Sequence, residues 1–371
     1  MKLKNPFLTA GYAGPEYFCD RVQETDKLIR CLDSETNMTL ISPRRYGKTG
    51  LIKHVLGKLE ARGDVTVVYL DILATRNLDE FAKAFANAVF TAVETKMEKI
   101  IDAALHFIRG VRPSVSFDET TGRPKFSYDI SATDAQTTVE GVLDYLAKKD
   151  RRIVVAIDEF QQIAEYPEKG AEAILRSKIQ FMQNVQFIFS GSRMHMMAEM
   201  FMSPKRPFYN STSNLSLKPI DRDSYYDFAV KFFREDGREL SQGTFDLVYN
   251  RFDGVTWYVQ SVLKGLYDGA WTAPGADAVS SVVAGLLEEN SENYAYVLSQ
   301  CTDGAVELLR AIASDKIVAE PLSAEFSHKH GLRAPSSVRY ALEKLQSDEL
   351  VYWKDDGYVI HDRLFGEWLA R

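Results

Sequence analysis

The stretch that decides the fold runs from Met38 to Thr49 and reads MTLISPRRYGKT, a short apolar strand followed by a basic loop. From Ser42 onward it fits the pattern Gly, four residues, then Gly-Lys-Ser/Thr, with serine in place of the first glycine. A helical pattern follows, from about Gly47 to Ala61. A strand before such a loop and a helix after it predict backbone N–H groups that wrap around phosphate oxygens at the helix N-terminus.

Three residues of this loop have an expected role in nucleotide binding. Gly47 permits close approach of the backbone, Lys48 places a positive charge on the β- and γ-phosphates, and the Thr49 hydroxyl is a ligand of Mg²⁺. The alternative is a basic turn that precedes a helix by chance. The residues predicted to bind the nucleotide are Ser42, Pro43, Arg44, Arg45, Tyr46, Gly47, Lys48, Thr49 and Gly50.

The two arginines of the loop have a second interpretation. Arg44 and Arg45 are expected either to contact phosphate or a neighbouring subunit, or to pair with acidic groups close to the phosphate site. Asp71 and Asp158 are the acidic groups that the pattern places nearest to them. Both interpretations stay open on the sequence alone.

A second apolar strand ends in a pair of carboxylates. Residues 153–157 read IVVAI and are followed directly by Asp158 and Glu159. Asp158 is expected to hold Mg²⁺, directly or through water, and Glu159 to orient and deprotonate the attacking water. An acidic pair at a strand end is common by itself, but its position downstream of a phosphate-binding loop makes it specific. The two motifs together predict that ATP and Mg²⁺ bind and that ATP is hydrolysed.

A third apolar strand, FIFS at residues 187–190, is followed by Gly191, Ser192 and Arg193. If this strand lies between the first two, a polar residue at its end reaches the γ-phosphate and the attacking water. We therefore predict Ser192 and Arg193 as catalytic residues beside Lys48 and Glu159. The alternative is a glycine-containing turn with a solvated arginine.

Strands and helices alternate through the first part of the chain. This alternation predicts a mostly parallel sheet with both faces covered. A long helix is predicted at residues 78–101 and a hairpin at residues 113–128. The predicted sheet strands lie at residues 38–41, 65–70, 153–157, 185–190 and 214–217.

The pattern changes after Ile220. Residues 221–300 are almost wholly helical, whereas residues 301–371 combine three helices with two short strands joined by a turn at residues 355–357. Three helices followed by a β-wing are typical of a winged helix. We therefore predict an α/β core at residues 1–220, a helical lid at 221–300 and a winged-helix domain at 301–371.

The composition restricts the class of protein. The 371 residues carry a formal net charge of -7, so the protein as a whole lacks the basic field that favours nucleic acid or acidic membranes. Three cysteines and six histidines show neither a disulfide framework nor metal-ligand spacing. No window approaches the roughly 18 apolar residues of a membrane span. A cytoplasmic protein without membrane contact is expected.

On these motifs the chain resembles the archaeal-type ATPase family, a branch of the AAA+/STAND P-loop ATPases. The resemblance rests on the loop at residues 42–49, on IDEFQ at 157–161, on SGSR at 190–193 and on the closing segment DRLFGEWL at 362–369. It implies a P-loop NTPase core with strand order 5-1-4-3-2, a helical lid and a winged helix. It also implies a nucleotide-driven switch, without specifying the client.

Two departures from the family pattern bear on function and fold. The family often carries Tyr-Gly-Arg before the fifth strand, whereas residues 208–211 read FYNS here. If that arginine acts in catalysis, this chain must use another, and Arg193 and Arg206 are the substitutes expected. The family's Gly-x-Pro turn in the helical domain reads GVT at residues 254–256.

The sequence therefore favours an ATPase that acts as an AAA+/STAND-type switch, with turnover that can depend on a partner. One alternative is a nucleotide-binding scaffold or sensor with little turnover. The other is a DNA-associated ATPase that uses the winged helix, with Ser336, Ser337, Arg339 and Lys344 exposed on its recognition helix. DNA is not favoured, because residues 301–371 carry nine cationic and twelve acidic side chains. A protein client or a second copy of the chain is the expected partner.

Overall fold

The computed structural model describes residues 3–94, 106, 112–117, 124–129 and 135–371. The chain forms two compact units. The first, Leu8–Asp221, is called the sheet unit below, and the second, Met1–Phe7 with Arg222–Arg371, is called the helical unit. Within the described residues, no helix is both long and apolar enough to span a membrane.

Nine strands are described, seven of them in the sheet unit and the last two in the helical unit. In chain order they are β1 (Met38–Ile41), β2 (Val65–Asp71), β3 (Arg112–Phe117), β4 (Pro124–Asp129), β5 (Arg152–Asp158), β6 (Val185–Gly191), β7 (Ser213–Leu215), β8 (Val351–Lys354) and β9 (Gly357–Ile360).

Five strands form one parallel sheet in the order β2-β5-β6-β1-β7. Numbered 1 to 5 along the chain, these strands confirm the predicted order 5-1-4-3-2. The residues of β1 and β6 are buried along their whole length, because helices cover both faces of the sheet. β3 and β4 pair antiparallel, which confirms the predicted hairpin.

The register of the sheet brings the motif residues to one edge. In β2 and β5, Asp71 pairs with Asp158, and in β1 and β6, Ile41 pairs with Gly191. All four residues are the last of their strands. Since parallel strands end at the same edge, the phosphate loop, the acidic pair and the segment after β6 all begin there.

The helices of the sheet unit separate these strands along the chain. They are Val22–Asp33, Lys48–Arg62, Leu78–Val93, Ala135–Ala147, Ala171–Ile179 and Met194–Met202, with 3₁₀ turns at Pro15–Tyr17 and Phe160–Glu165.

The helix predicted at residues 78–101 ends earlier than expected. It stops at Val93, because the backbone of Glu94 is extended (φ -109°, ψ 131°). The Glu94 carboxylate accepts hydrogen bonds from Tyr145 Oη (2.5 Å) and Lys149 Nζ (2.5 Å), which hold it against the neighbouring helical segment. The rest of the predicted helix lies outside the described residues.

The helical unit consists of helices and a small two-stranded sheet. Its helices are Arg222–Glu235, Gln242–Arg251, Thr256–Asp268, Ala276–Glu289, Ser291–Ser299, Asp303–Asp315, Ala324–His330, Pro335–Ser347 and Arg363–Leu369. The last four, together with the antiparallel pair β8 and β9, form the winged helix that the sequence predicts.

The N-terminal segment belongs to the helical unit, although the sequence assigns residues 1–7 to the core. Phe7 is buried against Phe233 and Tyr267, with ring centroids 5.8 and 5.6 Å away. Asn5 Nδ2 donates to the carbonyl of Lys264 (3.0 Å). The sheet unit therefore begins seven residues later than the predicted core, because these aromatic contacts join residues far apart in sequence. The predicted division at residues 1–220, 221–300 and 301–371 stays a prediction.

Hydrogen bonds and an ion pair connect the winged helix to the helices that precede it. Asp362 caps the last helix by accepting hydrogen bonds from the Leu364 and Phe365 N–H groups (3.0 and 3.2 Å), and it also accepts one from Tyr258 Oη (3.0 Å). Arg251 binds the Glu367 carboxylate with two nitrogens at 2.8 and 2.7 Å. These contacts explain why the predicted lid and winged helix lie in one compact unit.

Candidate nucleotide site

The loop after β1 turns sharply into the helix Lys48–Arg62. Gly47 is the N-cap of that helix with φ 88°, a left-handed conformation that a glycine adopts at no steric cost. Arg45 also has a positive φ of 74°, which is uncommon for a residue with a side chain. Such a turn directs successive backbone N–H groups into one concavity at a helix N-terminus, which is where a phosphate group binds.

Serine at the first position of the motif is accommodated without a clash. Ser42 is fully buried, and its hydroxyl donates to the carbonyl of Leu217 (3.4 Å) just beyond β7. The side chain therefore points toward the sheet and away from the loop. The departure from glycine costs the loop little, because this hydroxyl has a partner.

The loop is also fixed from the outside by a buried arginine. Arg21 donates to the carbonyls of Tyr46 (3.1 Å) and Lys218 (2.6 Å), and it pairs with Glu24 (2.8 Å). Its side chain is only 4% exposed. The carboxylate of Glu24 balances the charge of this buried guanidinium, and its bond to the Tyr46 carbonyl restrains the phosphate loop.

Lys48 lies inside the loop that precedes it. Only 6% of the residue is exposed, and its Nζ donates to the carbonyls of Ser42 (2.7 Å) and Pro43 (2.9 Å). A buried ammonium group at the mouth of a helix N-terminus gives the loop a fixed positive charge. The site thus fits a polyanion such as a nucleotide phosphate chain.

Thr49 and Asp158, the two predicted Mg²⁺ ligands, meet in the structure. Thr49 Oγ1 donates to Asp158 Oδ2 (2.7 Å), and Tyr69 Oη donates to the same oxygen (3.2 Å). The Glu159 N–H donates to the other oxygen, Oδ1 (3.1 Å). Asp158 is almost fully buried, yet both its carboxylate oxygens accept hydrogen bonds, so neither oxygen is left without a partner.

Negative charge is concentrated around Asp158. Burial raises the pKa of the neighbouring Asp71 carboxyl, and the carboxylates of Asp158 and Glu159 raise it further. Burial and the Asp158 charge also raise the pKa of the Tyr69 phenol. Carboxylate and hydroxyl oxygens are the ligands that Mg²⁺ prefers.

The donor set suits a cation that the substrate helps to hold. Across the described ranges, no group of three or more His, Cys, Asp and Glu side chains is placed to chelate a metal ion. Mg²⁺ commonly binds through one or two protein ligands together with nucleotide phosphates and water. Thr49 and Asp158 fit that mode of binding.

Glu159 follows Asp158 in a strained backbone conformation, with φ 55° and ψ 40°. Its Oε2 accepts hydrogen bonds from Gln161 Nε2 (2.6 Å) and Ser192 Oγ (2.7 Å). Ser192 in turn accepts one from Arg44 Nε (3.4 Å). The structure therefore brings the phosphate loop, the acidic pair and the segment after β6 into one hydrogen-bonded chain. The catalytic role predicted for Ser192 stays a prediction.

Arg193 turns away from this chain. Its guanidinium donates to the carboxylate of Glu165 and contacts the Met196 sulfur (3.6 Å). This agrees with the alternative of a turn residue engaged at the protein surface. The catalytic role predicted for Arg193 stays a prediction.

Arg206, the other substitute expected for the missing arginine, forms an ion pair in the sheet unit. Its Nη2 lies 2.6 Å from Glu172 Oε1, and its Nη1 lies 3.8 Å from Glu199 Oε1. The Glu172 side chain is only 9% exposed. Burial raises the pKa of the Glu172 carboxyl, whereas Arg206 lowers it. This geometry indicates a structural ion pair.

Arg206→Ala leaves the Glu172 carboxylate buried without its cation, so we expect the free energy of unfolding to fall by about 2–4 kcal/mol. Urea unfolding followed by circular dichroism measures the change. Lys205→Ala, at an exposed neighbour, is the control and is expected to change stability by less than about 0.5 kcal/mol. Unchanged stability with a selective loss of ATP turnover in Arg206→Ala would assign this arginine to catalysis instead.

The sequence offered little warning of three residues that complete the site. Tyr69 reaches Asp158, Gln161 reaches Glu159, and Gly191 leaves room for Gln161. Tyr69 lies two residues before Asp71 in β2, so the alternation of strand side chains places both on one face. Only that alternation could have drawn attention to Tyr69, since a half-buried tyrosine in a strand usually indicates packing.

Two family models match the chain. One, described as an ATPase domain predominantly from Archaea, matches residues 18–262. The other, described as a probable winged helix domain, matches residues 292–371. No curated protein sequence matches the chain.

Several solved structures resemble the whole chain. The Walker-type ATPase PABY2304 of Pyrococcus abyssi is 17% identical with a TM-score of 0.68, over 98% of this chain and 99% of that one. The Aeropyrum pernix ORC2 protein, in ADPNP-ADP complexes, is 16% identical with a TM-score of 0.60, over 98% and 96%. The Aeropyrum pernix ORC1 protein in complex with DNA is 16% identical with a TM-score of 0.55, over 100% and 98%. At these identities the likeness establishes the fold.

Proposed function

The chain belongs to the family of ATPase domains predominantly from Archaea, and on that premise we propose that it binds ATP with Mg²⁺ and hydrolyses it as an AAA+/STAND-type switch. One observation carries the proposal. The hydrogen bond from Thr49 to Asp158 (2.7 Å) joins the phosphate loop to the acidic strand end, beside the buried Lys48. Two motifs that are distant in sequence therefore form one site.

We propose that the loop residues 42–50 bind the phosphate chain of ATP. The backbone N–H groups of the loop donate to phosphate oxygens, and Lys48 exchanges its carbonyl partners for the β- and γ-phosphates. Thr49 and Asp158 would hold Mg²⁺, which would supply positive charge to the phosphate oxygens. We also propose that Arg44, whose Nε donates to Ser192 Oγ (3.4 Å) at the same edge, contacts the γ-phosphate.

Glu159 is the residue that we assign as the general base. A water held by its carboxylate gives up a proton to it as the water oxygen attacks the γ-phosphorus, and the bond to the leaving ADP oxygen breaks. The products are ADP, inorganic phosphate and a proton that Glu159 later releases. Ser192, already bonded to Glu159 at 2.7 Å, keeps the carboxylate at the edge of the sheet where the phosphate loop begins.

The domain division is also a proposal. We keep the core up to residue 220, without residues 1–7, the helical lid at 221–300 and the winged helix at 301–371. The ATPase-domain match ends at residue 262 and the winged-helix match begins at residue 292, which supports a helical region that links the two domains.

The charges of the winged helix favour a protein partner over DNA. Several cations of this domain pair with carboxylates of the helical unit: Lys344 with Asp348 (2.8 Å) and Lys329 with Asp315 (2.7 Å). These ion pairs and the acidic excess of residues 301–371 make the domain poorly suited to attract DNA phosphates. The complex of ORC1 with DNA is a property of that protein, and we propose a protein client or a second copy of the chain here.

Steady-state release of inorganic phosphate from ATP by the purified chain tests the proposal. We expect turnover that requires Mg²⁺ and stops when EDTA removes it, because Thr49 and Asp158 then hold no cation to offset phosphate charge. ATP binding is measured in parallel by calorimetry. Tight Mg²⁺-dependent binding with no turnover would contradict hydrolysis and support the sensor alternative instead.

A further inference from the structure

The side chain of Gln161 is buried next to Glu159, the second residue of the acidic pair. Only 1% of the residue is exposed, and it belongs to the 3₁₀ turn Phe160–Glu165 that follows β5. Its Nε2 donates to Glu159 Oε2 at 2.6 Å, a short bond to a charged acceptor. The amide thus contacts the side chain that we assign as general base, two residues before it in the chain.

The end of β6 provides the space for this amide. A Cβ atom at Gly191 would lie 2.3 Å from Gln161 Oε1 and 2.5 Å from Met197 Cγ. Only glycine therefore allows the glutamine to lie against the strand at this point. Met197 lies close to the same point of the strand, and the Gln161 Nε2 bonds Glu159.

Core packing alone does not account for a glutamine here. Gln161 Oε1 is buried and accepts no hydrogen bond from the described residues. A buried polar atom without a partner costs about 1–3 kcal/mol, and an apolar side chain of the same length would avoid that cost. An apolar side chain could not donate the hydrogen bond that Gln161 Nε2 gives to the Glu159 carboxylate.

We propose that Gln161 is a positioning residue that holds the Glu159 carboxylate in the orientation needed for catalysis. The inference rests on the proposed function, because it assigns a partner to the base of that reaction. Glu159 has a strained backbone, and its side chain must reach a water at the sheet edge. Gln161 and Ser192 fix Oε2 from two directions and leave Oε1 to accept the proton.

Gln161→Met removes the donor and keeps the length of the side chain. We expect kcat for ATP to fall about 10- to 100-fold, a fraction of the full effect of a general base, while KM and the Kd for ATP change less than about twofold. Gln162→Met is the matched control, since Gln162 is partly exposed and its main-chain N–H bonds the Glu159 carbonyl. Gln161→Asn, whose shorter amide cannot reach Oε2, is expected to behave like Gln161→Met, and thermal unfolding confirms that each variant folds.

A double-mutant cycle separates positioning from packing. If Gln161 acts through Glu159, then Gln161→Met costs no further turnover once Glu159→Gln is present, as measured by phosphate release over long incubations. An additive loss in that background, or an unchanged kcat in both Gln161 variants beside an active wild type, would overturn the role of Gln161 alone. A wild type without turnover overturns the proposed hydrolysis and this role with it.

Discussion

Glu159→Gln is expected to reduce ATP turnover by about 10²- to 10⁴-fold while ATP binding stays within about threefold of the wild type. The amide has the size and shape of the carboxylate, and its oxygen can still accept the hydrogen bonds from Gln161 and Ser192. It cannot take the proton of the attacking water. Phosphate release measures the rate, and calorimetry with Mg²⁺ and ATP measures the affinity.

The control for this variant is Glu60→Gln, which removes one exposed carboxylate from the helix Lys48–Arg62. It changes the net charge by the same amount, so we expect wild-type turnover and affinity from it. Turnover that survives in Glu159→Gln would mean that another group accepts the proton. The hydrogen bonds of Glu159 would then serve to connect the loop and strand ends, as the sensor alternative requires.

The parts of the fold that the sequence predicts correctly depend on local patterns. The strand order, the loop at residues 42–49 and the winged helix follow from apolar periodicity and from the resemblance. The meeting of Thr49 with Asp158 follows as well, because parallel strands end at one edge of the sheet. Such features require only that each element be recognised and placed in a known order.

What the sequence did not reveal depends on pairs of residues that are far apart. The ion pair between Arg206 and Glu172, the bond of Ser42 to Leu217 and the packing of Phe7 against Tyr267 leave no periodic pattern. Each is set by which side chains the finished fold brings together. Local propensity therefore cannot predict these contacts.

The structure describes the segment in which the family often carries an arginine that this chain lacks. Phe208, in the segment where the family often has Tyr-Gly-Arg, is buried in an aromatic cluster with Phe160 and Phe189 at 5.4 and 5.2 Å. The segment thus contributes to the core at that point. Arg193 and Arg206 are both engaged by carboxylates of the sheet unit, so slow basal turnover is expected unless a partner supplies a cation.

Lys48→Ala is expected to weaken ATP binding about 10- to 100-fold, which corresponds to about 1.4–2.8 kcal/mol. The wild-type ammonium lies within hydrogen-bonding distance of two loop carbonyls, at 2.7 and 2.9 Å. Its removal takes away the buried positive charge of Lys48 and leaves those carbonyl oxygens facing an anionic ligand. Turnover at saturating ATP should fall too, because the same charge acts on the γ-phosphate.

Lys58→Ala is the matched control for this variant, because Lys58 is an exposed lysine on the same helix, ten residues further along. If binding weakens equally in both, the effect comes from general surface charge, and 0.5 M salt should abolish it by screening. If only Lys48→Ala loses affinity, and the loss persists in salt, the charge acts from within the loop. Unchanged ATP affinity in Lys48→Ala would contradict the phosphate site itself and leave Lys48 with a structural role, in which its Nζ bonds the Ser42 and Pro43 carbonyls.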